Sequence, residues 1–323
     1  MENDTKLRVG VSACLLGQKV RFNGGHKQDR YIVQTLGEYF DFQPFCPEVG
    51  AGLGIPRPTI RLVRETENTP VRAVETDRQE QDHSAALIKY SEAVMEQIQP
   101  LSGFILKKDS PSCGMERVKV FRLDQPKSPP QREGSGIFAR MLRERYPNLP
   151  TEEEGRLCDP VLRENFIERV FSYHRWQQLE QPGLTPAKLV SFHSEHKYSI
   201  MAHHQEAVRE LGQLVAKAGN NEDFPALCTQ YINRFMQVMT LKVSRGQHSN
   251  VMQHLMGYVS DNIDAEDRAE LVETISRYQQ GYVPLIVPLT LLNHHFRKHP
   301  HPYIERQYYL NPHPQELMLR NQL

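Results

Sequence analysis

At 323 residues the chain is too long for one small core and too short for three ordinary domains, so two domains of about 100–200 residues are expected. Its 39 basic residues balance 39 acidic ones and 39% of positions are hydrophobic, which excludes wholesale disorder and removes net charge as a sign of a polyanionic partner. Five cysteines are an odd number and do not suggest a disulfide framework, and Met1-Glu2-Asn3-Asp4 supplies no basic stretch of a secretory signal, so a reducing, cytoplasmic setting is expected.

In chain order, Leu7–Ala13 is rich in β-branched residues and predicts a first strand, and Tyr31–Phe40 has helical spacing. Asp41–Phe45 predicts a second strand, Ala85–Ile98 a long amphipathic helix, and Gly103–Leu106 a third strand running into Lys107. Strands alternating with helices predict an α/β N-terminal domain, residues 1–150, with a mostly parallel, Rossmann-like sheet, because parallel strands need crossover connections. Pro126–Gly136 is rich in Pro, Ser and Gly and reads as a loop; Pro147–Gly155, with three consecutive glutamates, reads as a linker or connecting cap. Beyond it, Val161–Leu179, Lys188–Ala218, Phe224–Ser244, Val251–Val259 and Asp267–Gln280 follow a 3.6-residue period, which predicts an all-α C-terminal domain over 151–323. Gly219 with Asn220 and Asn221 reads as one helix stop and Gly281 as another. The longest apolar run, Tyr282–Leu292, holds two prolines and falls far short of the roughly 20 residues of a membrane helix.

Three cysteines stand where the predicted strands end: Cys14 in Ser-Ala-Cys-Leu-Leu-Gly, Cys46 in Cys-Pro-Glu, and Cys113 in Ser-Pro-Ser-Cys-Gly. If the strands are parallel, all three fall on the sheet edge where open α/β sheets bind ligands. Free cysteines often pack as small hydrophobes, but Pro, Gly, Ser and Glu flank these three instead of Val and Ile. Structural zinc usually takes four ligands, often in close Cys pairs, and no such pair exists here. An iron–sulfur cluster normally takes four thiolates, so three would leave one iron open to substrate. Spacing alone does not choose between zinc and iron. Glu48, two residues after Cys46, fits a general acid or base beside such a centre, against the ordinary alternative of a solvated carboxylate. Ser110 fits a hydrogen-bond donor, against an ordinary turn serine. Gly50, Gly52 and Gly54 have the wrong spacing for a dinucleotide loop.

These blocks, with Gly52–Arg57, resemble the thiouracil desulfidase family over residues 7–140. From about Arg156 onward, His193–His203, Asn250–Tyr258 and Pro284–Leu292 resemble the helical domain often fused to it, and the pair together looks like the bacterial tRNA 4-thiouridine desulfidases. The resemblance implies a 4Fe–4S cluster on Cys14, Cys46 and Cys113, catalytic roles for Glu48 and Ser110, and hydrolytic conversion of 4-thiouridine in tRNA to uridine and hydrogen sulfide at an open iron. Two other readings remain: a free-base thiouracil desulfidase, and a non-enzymatic iron–sulfur sensor that binds nucleic acid or protein. Cys158 and Cys228 match no family cysteine and are expected to be structural. Two basic groups, Arg57, Arg61, Arg64 and Arg140, Arg143, Arg145, offer phosphate contacts or an ordinary solvated surface. Of 14 histidines, 11 lie from His193 onward; without a supporting metal motif they read as a polar network or RNA contacts before a second metal site.

Overall fold

The computed structural model describes residues 6–95, 98, 100–220 and 223–321; Met1–Asp4 and Asn221 of the readings above lie outside them. The chain divides into two compact units, Met1–Cys158 and Asp159–Leu323. The first is the α/β domain that alternation predicts, and the second is helical.

Among the described residues the strands are β1 (Leu7–Ser12), β2 (Phe40–Phe45), β3 (Ile60–Arg64), β4 (Arg72–Glu75), β5 (Gly103–Leu106), β6 (Val118–Arg122), β7 (Gln131–Gly134) and β8 (Thr151–Glu153). They form two sheets of order β2-β1-β5-β8 and β4-β3-β6-β7. Every pairing in the first is parallel, with Leu7 opposite Phe40 and Val9 opposite Gly103. β5 is buried along its whole length, as a central parallel strand covered on both faces must be. The chain runs from β1 outward to β2 and later returns to β1's other side as β5, so the strand order reverses between β1 and β5. That reversal opens the crevice in which such sheets hold ligands.

The second sheet is mixed, with β3 antiparallel to β4, parallel to β6, and β6 antiparallel to β7. It corrects the loop reading of Pro126–Gly136: β7 is Gln-Arg-Glu-Gly, an exposed edge strand held by its backbone, with no apolar run to announce it. Pro147–Gly155 is corrected likewise, since β8 is the fourth strand of the parallel sheet. Its carboxylates are buried but paired. Glu152 meets Arg156 Nε at 2.5 Å, and Glu153 accepts the Met115 N–H at 2.8 Å. Glu154 next to it accepts the Lys108 N–H at 2.8 Å and pairs with Lys107. Three glutamates in a row look solvated in sequence because the partners that offset their burial come from elsewhere in the chain. Among the described residues the α-helices of this unit are α1 (Pro47–Gly50), α2 (Ser84–Met95) and α3 (Ile137–Arg145). Tyr31–Phe40 is less regular than its spacing predicts, a π-turn over Tyr31–Thr35 and a 3-10 turn over Leu36–Glu38 before β2 begins.

The helical unit comprises α4 (Pro160–Glu180), α5 (Pro186–His203), α6 (Gln205–Ala216), α7 (Phe224–Met239), α8 (Arg245–Met256), α9 (Ala265–Gln280), α10 (Ile286–Lys298) and α11 (Pro302–Glu305). Side chains cap the starts: Asp159 accepts from Val161 and Leu162, Asp223 from Ala226, and Asp264 from Asp267. Such caps are worth about 1 kcal/mol each. The predicted helix Lys188–Ala218 is broken at His204, whose extended backbone (φ −159°, ψ 106°) separates α5 from α6. The apolar period continues across the break and conceals it. Phe224–Ser244 ends at Met239, and Ser244 instead starts α8 through a reciprocal capping box with Gln247. Gly281 closes α9 in the left-handed region at φ 85°, as expected of a stop glycine. Two apolar cores hold the unit, one around Val251, Leu255, Leu271 and Leu292, the other around Trp176, Phe192, Tyr231 and Phe235. Among the described residues no helix is long and apolar enough to cross a membrane.

Candidate functional site

Each of the three cysteines lies beyond the end of a parallel strand, Cys46 directly after β2, Cys14 two residues after β1, and Cys113 at the end of the loop that follows β5. Cys14 lies in the 3-10 turn Ala13–Leu16 after β1, and its carbonyl accepts the Lys27 N–H at 2.9 Å. Cys46 is the N-cap of α1, with Pro47 at the first helical position; its carbonyl accepts the Gly50 N–H at 2.9 Å and its sulfur lies 3.9 Å from the Val20 carbonyl. Cys113 ends the loop after β5, where Lys107 N–H donates to Ser12 Oγ at 2.9 Å and pins that loop to β1. The start of α3 braces the same loop from outside, with Ile137 N–H on Pro111 O and Ala139 N–H on Ser112 O. A side chain at Gly136 is impossible without moving the loop, because a Cβ there would stand 2.5 Å from the Ser112 carbonyl and 2.8 Å from Cys113 N.

One cavity of about 310 Å³ is lined by all five sequence-predicted residues, Cys14, Cys46, Cys113, Glu48 and Ser110. Burial pushes the Cys14 thiol up to about 11, and burial also raises Cys46 and, well above its usual value, Cys113. Cys46 also raises Cys14, and Cys46 and Cys14 also raise Cys113, because a neighbouring thiolate disfavours a second negative charge.

Glu48 is held at both oxygens. Arg57, whose side chain is 3% exposed, donates to Oε2 from Nε at 3.0 Å and from Nη2 at 2.6 Å. Its remaining hydrogen bonds reach Gly54 O and Val20 O. Ser112 Oγ donates to Glu48 Oε1 at 3.0 Å. Oε2 is therefore occupied by two guanidinium N–H groups, while Oε1 keeps a lone pair beyond its single hydroxyl partner. Ser110 does not touch Glu48. Its Oγ accepts the N–H groups of Ser112 at 3.2 Å and Cys113 at 3.0 Å, which shapes the cysteine loop and leaves the hydroxyl proton to donate.

The donor set fits an iron–sulfur cluster with three protein ligands. The cavity lining holds three cysteines and, among the described residues, no histidine. Its carboxylates are taken up by arginines, Glu48 by Arg57 and Asp109 by Arg132 at 3.5 Å. Among the described residues no three His, Cys, Asp or Glu side chains converge to hold a single metal ion. A cluster does not need such convergence, because each thiolate binds a different iron.

Sequence reasoning missed Arg57, Ser112 and Ser12 as parts of this site. Arg57, Arg61 and Arg64 form no common basic surface: Arg57 is buried on Glu48, Arg61 lies 4.8 Å over the Phe121 ring, and Arg64 pairs with Glu133 at 3.0 Å. In the second group Arg140 meets Glu144 at 3.8 Å, and Arg143 reaches Met115 O at 3.4 Å. A signal for Arg57 was present, since it closes the Gly-Leu-x-x-Pro-Arg block. Of the cysteines expected to be structural, Cys228 is buried in α7, whereas Cys158 is exposed and does not pack as a hydrophobe.

The histidines of the helical unit are largely interior. His196 is fully buried, its ring 4.0 Å from that of Phe192 and 4.6 Å from that of Tyr308, with Nδ1 on Phe192 O. His193 meets the Tyr231 hydroxyl at 3.2 Å and His248 that of Tyr309 at 2.9 Å. His203 lies 3.5 Å from Glu168, and Arg320 binds Glu164 at 2.9 Å in the same cluster. These contacts match the polar-network reading.

Comparison with known proteins gives the following similarities. Residues 9–154 match the 2-thiouracil desulfurase family, and residues 197–314 match a family described as a protein of unknown function, DUF1722. A protein of Escherichia coli (strain K12) described as the uncharacterized protein YbgA is 30% identical over 153 residues, which is 47% of this chain and 90% of that one. Among solved structures, a 4Fe–4S-dependent thiouracil desulfidase, TudS, is similar at 28% identity with a TM-score of 0.38, over 48% of this chain and 95% of that one.

Proposed function

For a chain that belongs to the family of the Escherichia coli protein YbgA and carries a 2-thiouracil desulfurase domain, we propose an iron–sulfur-dependent desulfidase that replaces the 4-thio group of 4-thiouridine in tRNA by oxygen. The observation that carries this reading is the meeting of Cys14, Cys46, Cys113 and Glu48 on one cavity at the ligand-binding edge of a parallel sheet. The three thiolates would hold a 4Fe–4S cluster, which when bound offers an iron without a protein ligand to a soft thiocarbonyl sulfur.

The chain's own residues supply the rest. Glu48 Oε1 takes a proton from water as the water oxygen bonds to C4 of the pyrimidine, while Arg57 keeps Oε2 occupied and the carboxylate oriented. Ser110 donates its hydroxyl proton toward the ring as charge develops on it. The carbon–sulfur bond then breaks, and both water protons leave with sulfur as hydrogen sulfide. No electrons are gained or lost overall. Arg21, Lys27 and Lys108 on the cavity wall suit a substrate that carries phosphate, which favours a nucleotide within RNA over a free base.

The test is to incubate the anaerobically reconstituted chain with thiolated tRNA and, separately, with 4-thiouracil. The expected result is loss of 4-thiouridine from digested tRNA with release of an equal amount of sulfide. Turnover of the free base alone would return the substrate to the smaller class, and turnover of neither would favour the sensor reading.

A further inference from the structure

Two aromatic rings lie on the wall of the cysteine cavity, and they differ in what covers them. Phe45 is buried, 5.4 Å from the ring of Phe104 and 6.4 Å from that of Phe138, and belongs to the core. Phe22 is 37% exposed, so unlike Phe45 it presents ring surface to the cavity that no core residue covers. It does not sit on a loose loop. Gly24 N–H donates to Arg21 O at 2.9 Å and Arg21 N–H to Gly25 O at 3.2 Å, so Phe22 occupies a corner of a closed turn. The Phe22 carbonyl accepts the Arg57 N–H at 2.9 Å, and Val20 O accepts Arg57 Nη2 at 3.0 Å. The residue that orients Glu48 therefore also fixes the position of Phe22. The Arg21 guanidinium lies 5.4 Å from the Phe22 ring centroid, over one face.

We propose that Phe22 is a positioning residue whose exposed ring stacks on the thiolated pyrimidine and holds it flat, so that its C4–sulfur edge points at the three thiols. This deepens the desulfidase reading and rests on it. Arg21 lies over one face of the ring, and the base stacks on the other. Its cavity neighbours Glu48 and Cys46 are tied to the same backbone through Arg57 and Val20, which sets the plane of the base relative to the water that Glu48 activates. Base–aromatic stacking of this kind is sequence-tolerant and suits a substrate whose recognised feature is one sulfur atom.

The test measures binding and turnover of 4-thiouridine separately. Equilibrium dialysis of the nucleoside against the full chain is run on the parent, Phe22→Ala, Phe22→Leu, Phe22→Tyr and Phe22→Trp, and steady-state kinetics on the same set after reconstitution. Phe22→Ala is expected to weaken binding and raise KM by roughly tenfold or more, the range of one lost stack, with kcat within about twofold. Phe22→Tyr and Phe22→Trp restore both, and Phe22→Leu, apolar but without a ring face, does not. Unchanged Kd and KM in Phe22→Ala, or full rescue by leucine, overturns the proposal. A parent that binds 4-thiouridine through Phe22 but releases no sulfide leaves the stacking role standing and removes the desulfidase reading; a parent that does neither removes both.

Discussion

Replacing Glu48 with glutamine is expected to lower kcat by about 10²- to 10⁴-fold while leaving the iron content of the reconstituted chain unchanged. Glutamine keeps the size of the side chain; its amide oxygen can receive the Arg57 N–H groups while its NH2 donates to the Ser112 hydroxyl oxygen, so the wall of the cavity stays in place. What it loses is the proton-accepting oxygen. The effect should fall on kcat and kcat/KM together, because activation of water is made only on the way to the transition state. Replacing the partner is a different experiment: Arg57→Ala frees Glu48 from two hydrogen bonds and also releases the backbone at Val20, so it should disturb KM as well. A Glu48→Gln chain that turns over like the parent would remove the carboxylate from the chemistry.

Acid should unfold the helical unit well before it exhausts the ordinary carboxylate range. Burial holds His196 and His248 down to about 3, and His193 and His313 down to about 4. In the unfolded chain each would titrate near 6.5. Below that pH the unfolded state binds protons that the folded state refuses, so stability falls as pH drops from about 6.5 toward 4. For the fully buried His196 alone the loss is about 1.4 kcal/mol for each pH unit, and several such groups together rival the roughly 5–15 kcal/mol that holds an ordinary domain. Thermal melts of the full chain at pH 7.0, 6.0 and 5.0 should show the helical transition fall steeply, and His196→Phe should flatten that slope. A helical transition that stays level between pH 7.0 and 5.0 would contradict the buried neutral state of these rings.

The parallel sheet and its cysteine edge were legible in sequence because β1 and β5 are apolar and the residues after each strand are Pro, Gly, Ser and Cys, which buried strands do not supply. The second sheet was not. β7 carries no apolar side chain, and β8 is two-thirds glutamate, so both depend on partners that a linear pattern cannot show. The same limit applied at the site. Glu48 was visible beside Cys46, but its clamp joins residues 9 and 64 positions away, Arg57 and Ser112, neither of which the sequence marks as its partner. Ser110, read from the sequence as a hydroxyl donor, accepts from the backbone of its own loop. In the helical unit, 3.6-residue spacing located the helices yet ran through the break at His204, because apolar period reports a buried face and carries no information about backbone continuity.

The central claim is that three thiols share one inorganic centre, and counting iron and acid-labile sulfide per chain tests it most directly. After anaerobic reconstitution the parent should carry about four of each, as should Cys158→Ala and Cys228→Ala. Cys14→Ala, Cys46→Ala and Cys113→Ala should each lose most of both. A parent chain that takes up a single zinc instead, or a Cys113→Ala chain that keeps its full iron and sulfide, would contradict the account.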